Sequence, residues 1–160
     1  MNGNHESPGA ELLRAWRRTR PLPFGNRIFS WFVGRSAPYT GSVRATVLAL
    51  APGHARVALR DRRAVRNHLR SIHAVALANL GELTTGLALT TALPAAVRGI
   101  PVRLTIDYKK KARGTIVAEC DCAPITAVED SRDQAATALL RDGAGEVVAE
   151  IAALWHLGPA

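Results

Sequence analysis

The sequence predicts an α+β domain, an antiparallel sheet packed against one long buried helix, with short helices in front of it. Three observations carry this expectation. Period-two alternation of apolar and polar residues occurs before residue 60 and again after residue 99, separated by a single apolar run of helical length. The segment before the first alternation is short, aromatic-rich and broken by prolines.

The first ten residues are polar, contain Gly3, Pro8 and Gly9, and read as a tail. Over Glu11–Arg20, Leu12, Leu13 and Trp16 fall on one helical face with arginines opposite, and Pro21 ends the helix. Asn26–Gly34 reads as a second short helix stopped by Gly34. Val43, Ala45, Val47 and Ala49 then alternate with polar neighbours, Pro52-Gly53 makes a turn, and His54–Leu59 returns as a hairpin partner. The polar loop Arg60–Arg70 leads to Ser71, read as the N-cap of a helix from about Ile72 to Leu93 that Pro94 stops. Its apolar residues occur all round, so it is expected to be buried. Four strands follow, at 102–107, 115–122, about 135–141 and 146–157, with turns at Lys109–Arg113 and Asp142-Gly143. The chain is divided accordingly into 1–40, a tail with short helices, and 41–160, the sheet-and-helix domain.

Composition narrows the partners. The 160 residues are 48% hydrophobic and carry +8, enough apolar content for a core. Residues 1–70 hold 13 basic and 3 acidic side chains, whereas residues 71–160 hold 8 and 10. A uniformly basic coat and a disordered polycation are both excluded. Cys120 and Cys122 share one face of a strand without disulfide geometry, which suits a reduced cytoplasm. Met1–Pro8 has no apolar stretch of signal-peptide type, and Ile72–Val97 is interrupted by Asn79, Glu82, four threonines and Pro94, against a bilayer span. His54, His68 and His156 show no metal-ligand spacing, so no metal is expected.

Chemistry concentrates on the long helix. A carboxylate at Glu82 in an apolar helix must pair or neutralise, and desolvation would raise its pKa toward that of a general base; an N-cap glutamate or a structural ion pair with a nearby arginine stands as the equal alternative. The helix start, Ser71-Ile-His-Ala-Val75, offers unpaired N–H groups that could polarise a carbonyl, and Asn67 could donate a second hydrogen bond. His73 reads as a neutral imidazole holding the loop in preference to a base. Ala74 and Glu82 are eight residues apart, about 12 Å along a helix, too far to meet at one carbonyl. Two such helices, antiparallel across a two-fold axis, would bring the donor end of one against the carboxylate of the other, so a homodimer is expected.

Asn67, His73, Ala74 and Glu82, with Arg98–Tyr108, Ala112–Glu119 and Glu146–Gly158, resemble the hotdog-fold acyl-CoA thioesterases of the phenylacetate-degradation type over residues 41–158. Ala37–Gly41 and Val65–Ala74 are closer still to a largely uncharacterised bacterial branch of hotdog proteins. The resemblance implies a sheet wrapped around one central helix and hydrolysis of acyl-CoA thioesters. Asn67 and the Ala74 N–H would be oxyanion donors and Glu82 of the partner helix the base or nucleophile. Ala74 and Val75 stand where the family has two glycines, and Pro101 where some relatives have a serine, so a positioning hydroxyl would come from Thr84 or Thr85. Coenzyme A, as part of the substrate, would meet Arg60, Arg62, Arg63, Arg66 and Lys109–Arg113, with Arg63, Arg66, Lys110 and Arg113 as the chief phosphate partners. No separate cofactor is implied, and dimers could pair into tetramers.

Two other readings compete. One is an acyl-CoA or fatty-acyl binding protein without turnover. The other, a nucleic-acid or membrane-surface binder, rests on the basic aromatic N-terminus; against it, Trp16, Phe29, Trp31 and Phe32 have the spacing of residues that pack short helices onto a domain. Neither nucleic acid nor stable membrane association is expected.

Overall fold

The computed structural model describes residues 7–125 and 130–159. Three helices open it: α1 (Pro8–Thr19), α2 (Gly25–Ser36) and the single turn α3 (Pro38–Gly41). The hairpin β1 (Thr46–Ala51) and β2 (His54–Leu59) follows, then α4 (Ala74–Ala92), then β3 (Val97–Tyr108), β4 (Ile116–Asp121), β5 (Arg132–Arg141) and β6 (Val147–Pro159). The strands form one antiparallel sheet in the order β1-β2-β4-β5-β6-β3, and α4 packs across it. This is the hotdog architecture that the resemblance implies, with the expected short helices ahead of it.

Local boundaries differ from the sequence reading in several places, one being that the strand expected at 102–107 already begins at Val97, because Val97–Pro101 pair with the end of β6. The tail expected over residues 1–10 falls partly on residues 1–6, which lie outside the described residues; from Pro8 onward the chain is helical, because Ser7 Oγ accepts from Ala10 N and caps α1. The second helix does not stop at Gly34. It runs to Ser36, and Gly34 serves instead as the contact for α3: a Cβ at Gly41 would lie 2.5 Å from the Gly34 carbonyl oxygen. The hairpin strand begins at Thr46 rather than Val43. Finally, α4 starts at Ala74 with His73 as N-cap, since Ser71 is held in the preceding turn and Ile72 is bridged to Arg66.

The core is built where α4 meets the sheet. Leu80 and Leu89 of α4 lie fully buried among Val57, Leu59, Ile116, Leu140 and Ile151. The helix can approach β6 closely because position 81 is glycine: a Cβ there would lie 2.7 Å from Ile151 side-chain atoms. At the other end of α4, the Thr91 hydroxyl accepts from Gly53 N at 3.1 Å and lies 3.0 Å from Ala51 O, tying the helix to the β1–β2 turn. Trp16 and Phe29 are buried in the same core, their rings edge-to-face at 5.2 Å. Trp31 and Phe32, expected to pack the short helices onto the domain, instead face outward. Cys120 and Cys122 are free thiols with sulfurs 3.9 Å apart on one strand face.

The apolar surround of α4 expected from its sequence is incomplete. Most of the helix is buried, yet Val75, Ala78, Glu82 and Gly86, which follow one another at helical spacing, form a stripe that remains partly open. Substituting Gly81→Val should overpack the contact with Ile151 and lower unfolding stability by about 2 kcal/mol. Chemical denaturation of the variant would measure it, and an unchanged midpoint would show that β6 can retreat without cost.

Candidate active site

A tight turn prepares the start of α4. Asn67 N donates to Ser71 O at 2.8 Å, and Asn67 Oδ1 accepts from Leu69 N, Ser71 N and Ser71 Oγ at 2.9, 3.2 and 3.1 Å. The oxygen of the amide is thereby saturated, while its Nδ2 has no partner among the described residues and keeps its donors available. Ile72 N donates to Ala112 O and His73 N to Val65 O, which anchors the turn to both flanking loops.

The first helical amides are shared unequally. His73 Nδ1 accepts from Val75 N at 3.1 Å, a capping contact that assigns the ring proton to Nε2 and uses the imidazole to hold the backbone. Ala74 N–H has no acceptor among the described residues. An unpartnered amide at a helix start, where the dipole is positive, favours a negative or developing negative oxygen. The Ala74 carbonyl accepts from Tyr108 Oη at 3.0 Å, so the end of β3 is fastened to this helix turn.

Glu82 stands on the open stripe of α4, directly after the close contact at Gly81. Its carboxylate has no hydrogen bond or ion pair among the described residues, and burial pushes its pKa above the usual carboxylate range. The structural ion pair considered from sequence is thus not formed among the described residues. Eight helical residues separate it from Ala74, about 12 Å. Within one chain, then, the donors cluster at the helix start and the carboxylate stands apart from them.

The flank of this stripe is the edge strand β3. Residues paired across antiparallel strands share a face, so Leu104, Ile106 and Tyr108, opposite Ala153, Ile151 and Ala149, face the helix side. Leu104 and Tyr108 are nevertheless 42% and 48% exposed, because nothing in the described chain covers the sheet beyond β3. Ile100, opposite the exposed His156 and so on the other face, and Val102 at the bulge are exposed as well.

Of the basic residues expected to meet coenzyme A, Arg62 donates to Ser42 O and Lys109 is paired with Asp107, while Arg60 and Lys111 are exposed; the four chief candidates separate into two groups. Arg66 is committed to Asp61, whose carboxyl the Arg66 hydrogen bond holds below its usual range and whose Oδ2 accepts from Gly114 N. Lys110 is committed to Asp142 at 2.7 Å and to Glu146, on the β5–β6 turn. Arg63 and Arg113 are exposed and have no ion-pair partner among the described residues. Thr85 is fully buried with its hydroxyl donating to Glu82 O, and Thr84 likewise donates to Leu80 O, so in this chain neither hydroxyl faces the open stripe.

Two features escaped the sequence reading. Tyr108 was recognisable only as a strand residue; its contact with Ala74 joins positions 34 apart and left no local signal. His54 meets Glu119 and Asp121 because β2 and β4 are paired, with its ring nitrogens 3.9 and 2.8 Å from their oxygens. Each ring nitrogen already faces a carboxylate, and the group lies on the strands rather than at the α4 start.

A helix start with two donors unpartnered among the described residues, a carboxylate on the same helix and a sheet packed around it define a hotdog domain with a partly open stripe along α4. The chain belongs to the family described as domain of unknown function (DUF4442), whose model matches residues 25–157. No curated protein sequence matches it significantly. Among solved structures it is similar to a genomics target at 27% identity, covering 94% of this chain and 99% of the other with a TM-score of 0.81. A probable thioesterase from Pseudomonas aeruginosa is 25% identical, with coverages of 87% and 97% and a TM-score of 0.73. A variant of the phenylacetic acid degradation protein PaaI from Thermus thermophilus, 20% identical, shares the fold over 74% of this chain and 97% of its own, with a TM-score of 0.62.

The position of Glu82 has a thermodynamic consequence. An acid whose pKa is raised on folding binds its proton more tightly in the folded state, so stability falls as pH rises from the ordinary carboxylate value through the raised one. Glu82→Gln should therefore raise the melting temperature at neutral pH, with the gain shrinking as pH falls through the raised value of Glu82 and gone below the ordinary carboxylate value of about 4.3. Thermal melts of both proteins across this range would check it, and a destabilised variant at neutral pH would mean the carboxylate is paired.

Proposed function

We propose that the protein is a homodimeric thioesterase that hydrolyses acyl-CoA thioesters at sites shared between two subunits. The observation that carries this reading is the half-buried, unpartnered Glu82 carboxylate, separated along α4 from the free donors at its start. Placing the α4 of a second copy antiparallel beside the first would bring its Glu82 to the Ala74 N–H and Asn67 Nδ2. The same pairing would cover the apolar β3 edge, whose free backbone groups otherwise invite another strand. The likeness to a probable thioesterase supports the reaction class.

In this mechanism the thioester carbonyl oxygen accepts from Ala74 N–H and Asn67 Nδ2, which stabilise the oxyanion as it forms. Glu82 of the other subunit removes a proton from water, whose oxygen bonds to the carbonyl carbon. The C–S bond then breaks, giving a carboxylic acid and the free thiol of coenzyme A. Glu82 attacking directly would give an acyl-enzyme anhydride, which water then hydrolyses to the same products. A raised pKa keeps Glu82 basic enough to serve near neutral pH. His73 acts through the backbone as the cap that leaves Ala74 N–H free. Arg63 and Arg113 are exposed basic side chains available to meet the nucleotide phosphates, and no separate cofactor takes part.

Thiol release from a panel of acyl-CoAs tests the reading. Glu82→Gln should lower the rate by about 10²-fold or more, and Asn67→Ala by a similar factor. Mixing the two inactive variants discriminates further: a mixed dimer has one site with both native groups and should recover activity. Recovery would fail if each subunit held a complete site. Saturable acyl-CoA binding with thermal stabilisation but no thiol release would replace this reading with that of a binding protein.

A further inference from the structure

The outward face of α2 has no role in the fold or in the candidate site. Ile28, Trp31, Phe32 and Arg35 follow at i, i+3, i+4 and i+7, on the side of the helix turned away from the core that Phe29 and Val33 meet. Leu22 and Phe24 extend this face at the turn before the helix, with Phe24 75% and Trp31 60% exposed. Phe24 sits at φ 59, a conformation unfavourable for a bulky residue, and its exposed ring gains little packing to offset it. Apolar patches of this kind mark interaction surfaces.

The charges around the patch identify what it meets. From Leu12 to Arg60 the chain has nine arginines and no acidic residue. Arg20, Arg27 and Arg35 border the patch, and the Arg35 guanidinium lies 6.0 Å from the Trp31 ring. Aromatic and aliphatic tips ringed by arginine alone fit a layer that is apolar within and anionic at its surface. The 12 residues of α2 span about 18 Å, too short to cross the hydrocarbon of a bilayer, and no described helix is long and apolar enough to do so.

We propose that α2 is an interfacial membrane-docking surface whose partner is an anionic phospholipid bilayer, with Phe24, Ile28, Trp31 and Phe32 entering the headgroup–acyl boundary. The helix lies in the plane of the interface and the arginines meet lipid phosphates. This revises the expectation that the protein has no stable membrane association, and it stands independently of the thioesterase reading. Glu82 lies on α4 and Asn67 in the turn before it, not on this outward face of α2.

The tryptophans make the test direct, because Trp16 and Trp155 are buried and Trp31 alone is exposed. The full-length protein is mixed with vesicles of phosphatidylcholine, with or without one-third phosphatidylglycerol. Expected are co-sedimentation with the anionic vesicles that weakens with salt, a blue shift of Trp31 emission, and quenching by brominated lipid. The variant Phe24→Ser/Phe32→Ser removes only exposed rings and retains the reporter; it should bind about tenfold more weakly or worse. Arg27→Gln/Arg35→Gln should lose the preference for anionic over neutral vesicles. Absence of sedimentation with anionic vesicles, or binding that the ring variant leaves unchanged, overturns the proposal. So does a self-association that the ring variant abolishes while vesicles are ignored, since a second copy would then cover the patch.

Discussion

The contact between Gly81 and Ile151 sets the position of everything else in this domain. A sheet of six twisted strands can enclose a helix only if the helix lies close enough for side chains from both to interdigitate. Here the absence of a side chain at position 81 lets α4 settle onto β6, and the Thr91 link to the β1–β2 turn holds its far end. Leu80 and Leu89 then reach the fully buried interior formed with the central strands.

That placement also decides what stays open. Six strands surround most of the helix, but the sheet ends at β3, and the stripe from Val75 to Gly86 on the uncovered side has no partner among the described residues. Glu82 lies on this stripe one residue beyond the tight contact, which accounts for a carboxylate that is desolvated yet reachable. Such a group opposes stability where it is charged. At the start of the same helix, the Asn67 amide oxygen is fully occupied while its nitrogen is free, and the His73 cap takes Val75 N–H while leaving that of Ala74. Local hydrogen bonding thus orients two donors at one end of a rod and leaves an acid part-way along it.

The N-terminal helices divide their aromatics by the same geometric rule. Trp16 and Phe29 point into the core and complete its wall, whereas Trp31 and Phe32, two and three residues past Phe29, fall on the outward side of α2. Helical spacing alone made all four look like packing residues. Only the location of the domain relative to α2 separates the buried pair from the exposed one.

The sequence by itself determined the class of fold and the approximate extent of most elements, and it singled out Asn67, Ala74 and Glu82 as candidates, because periodicity, turn residues and short-range spacing are local properties. It also determined where the charge lies, since that requires only position. The tertiary structure alone decided that Ser71 belongs to a turn and His73 to the cap, that Arg66 and Lys110 are occupied by carboxylates, and that Tyr108 touches Ala74. It decided, too, that Thr85 faces inward and that one side of an apparently all-apolar helix is open. The reason is physical: these outcomes depend on contacts between residues distant in the chain, and such contacts exist only after the sheet has chosen its strand order and closed around α4.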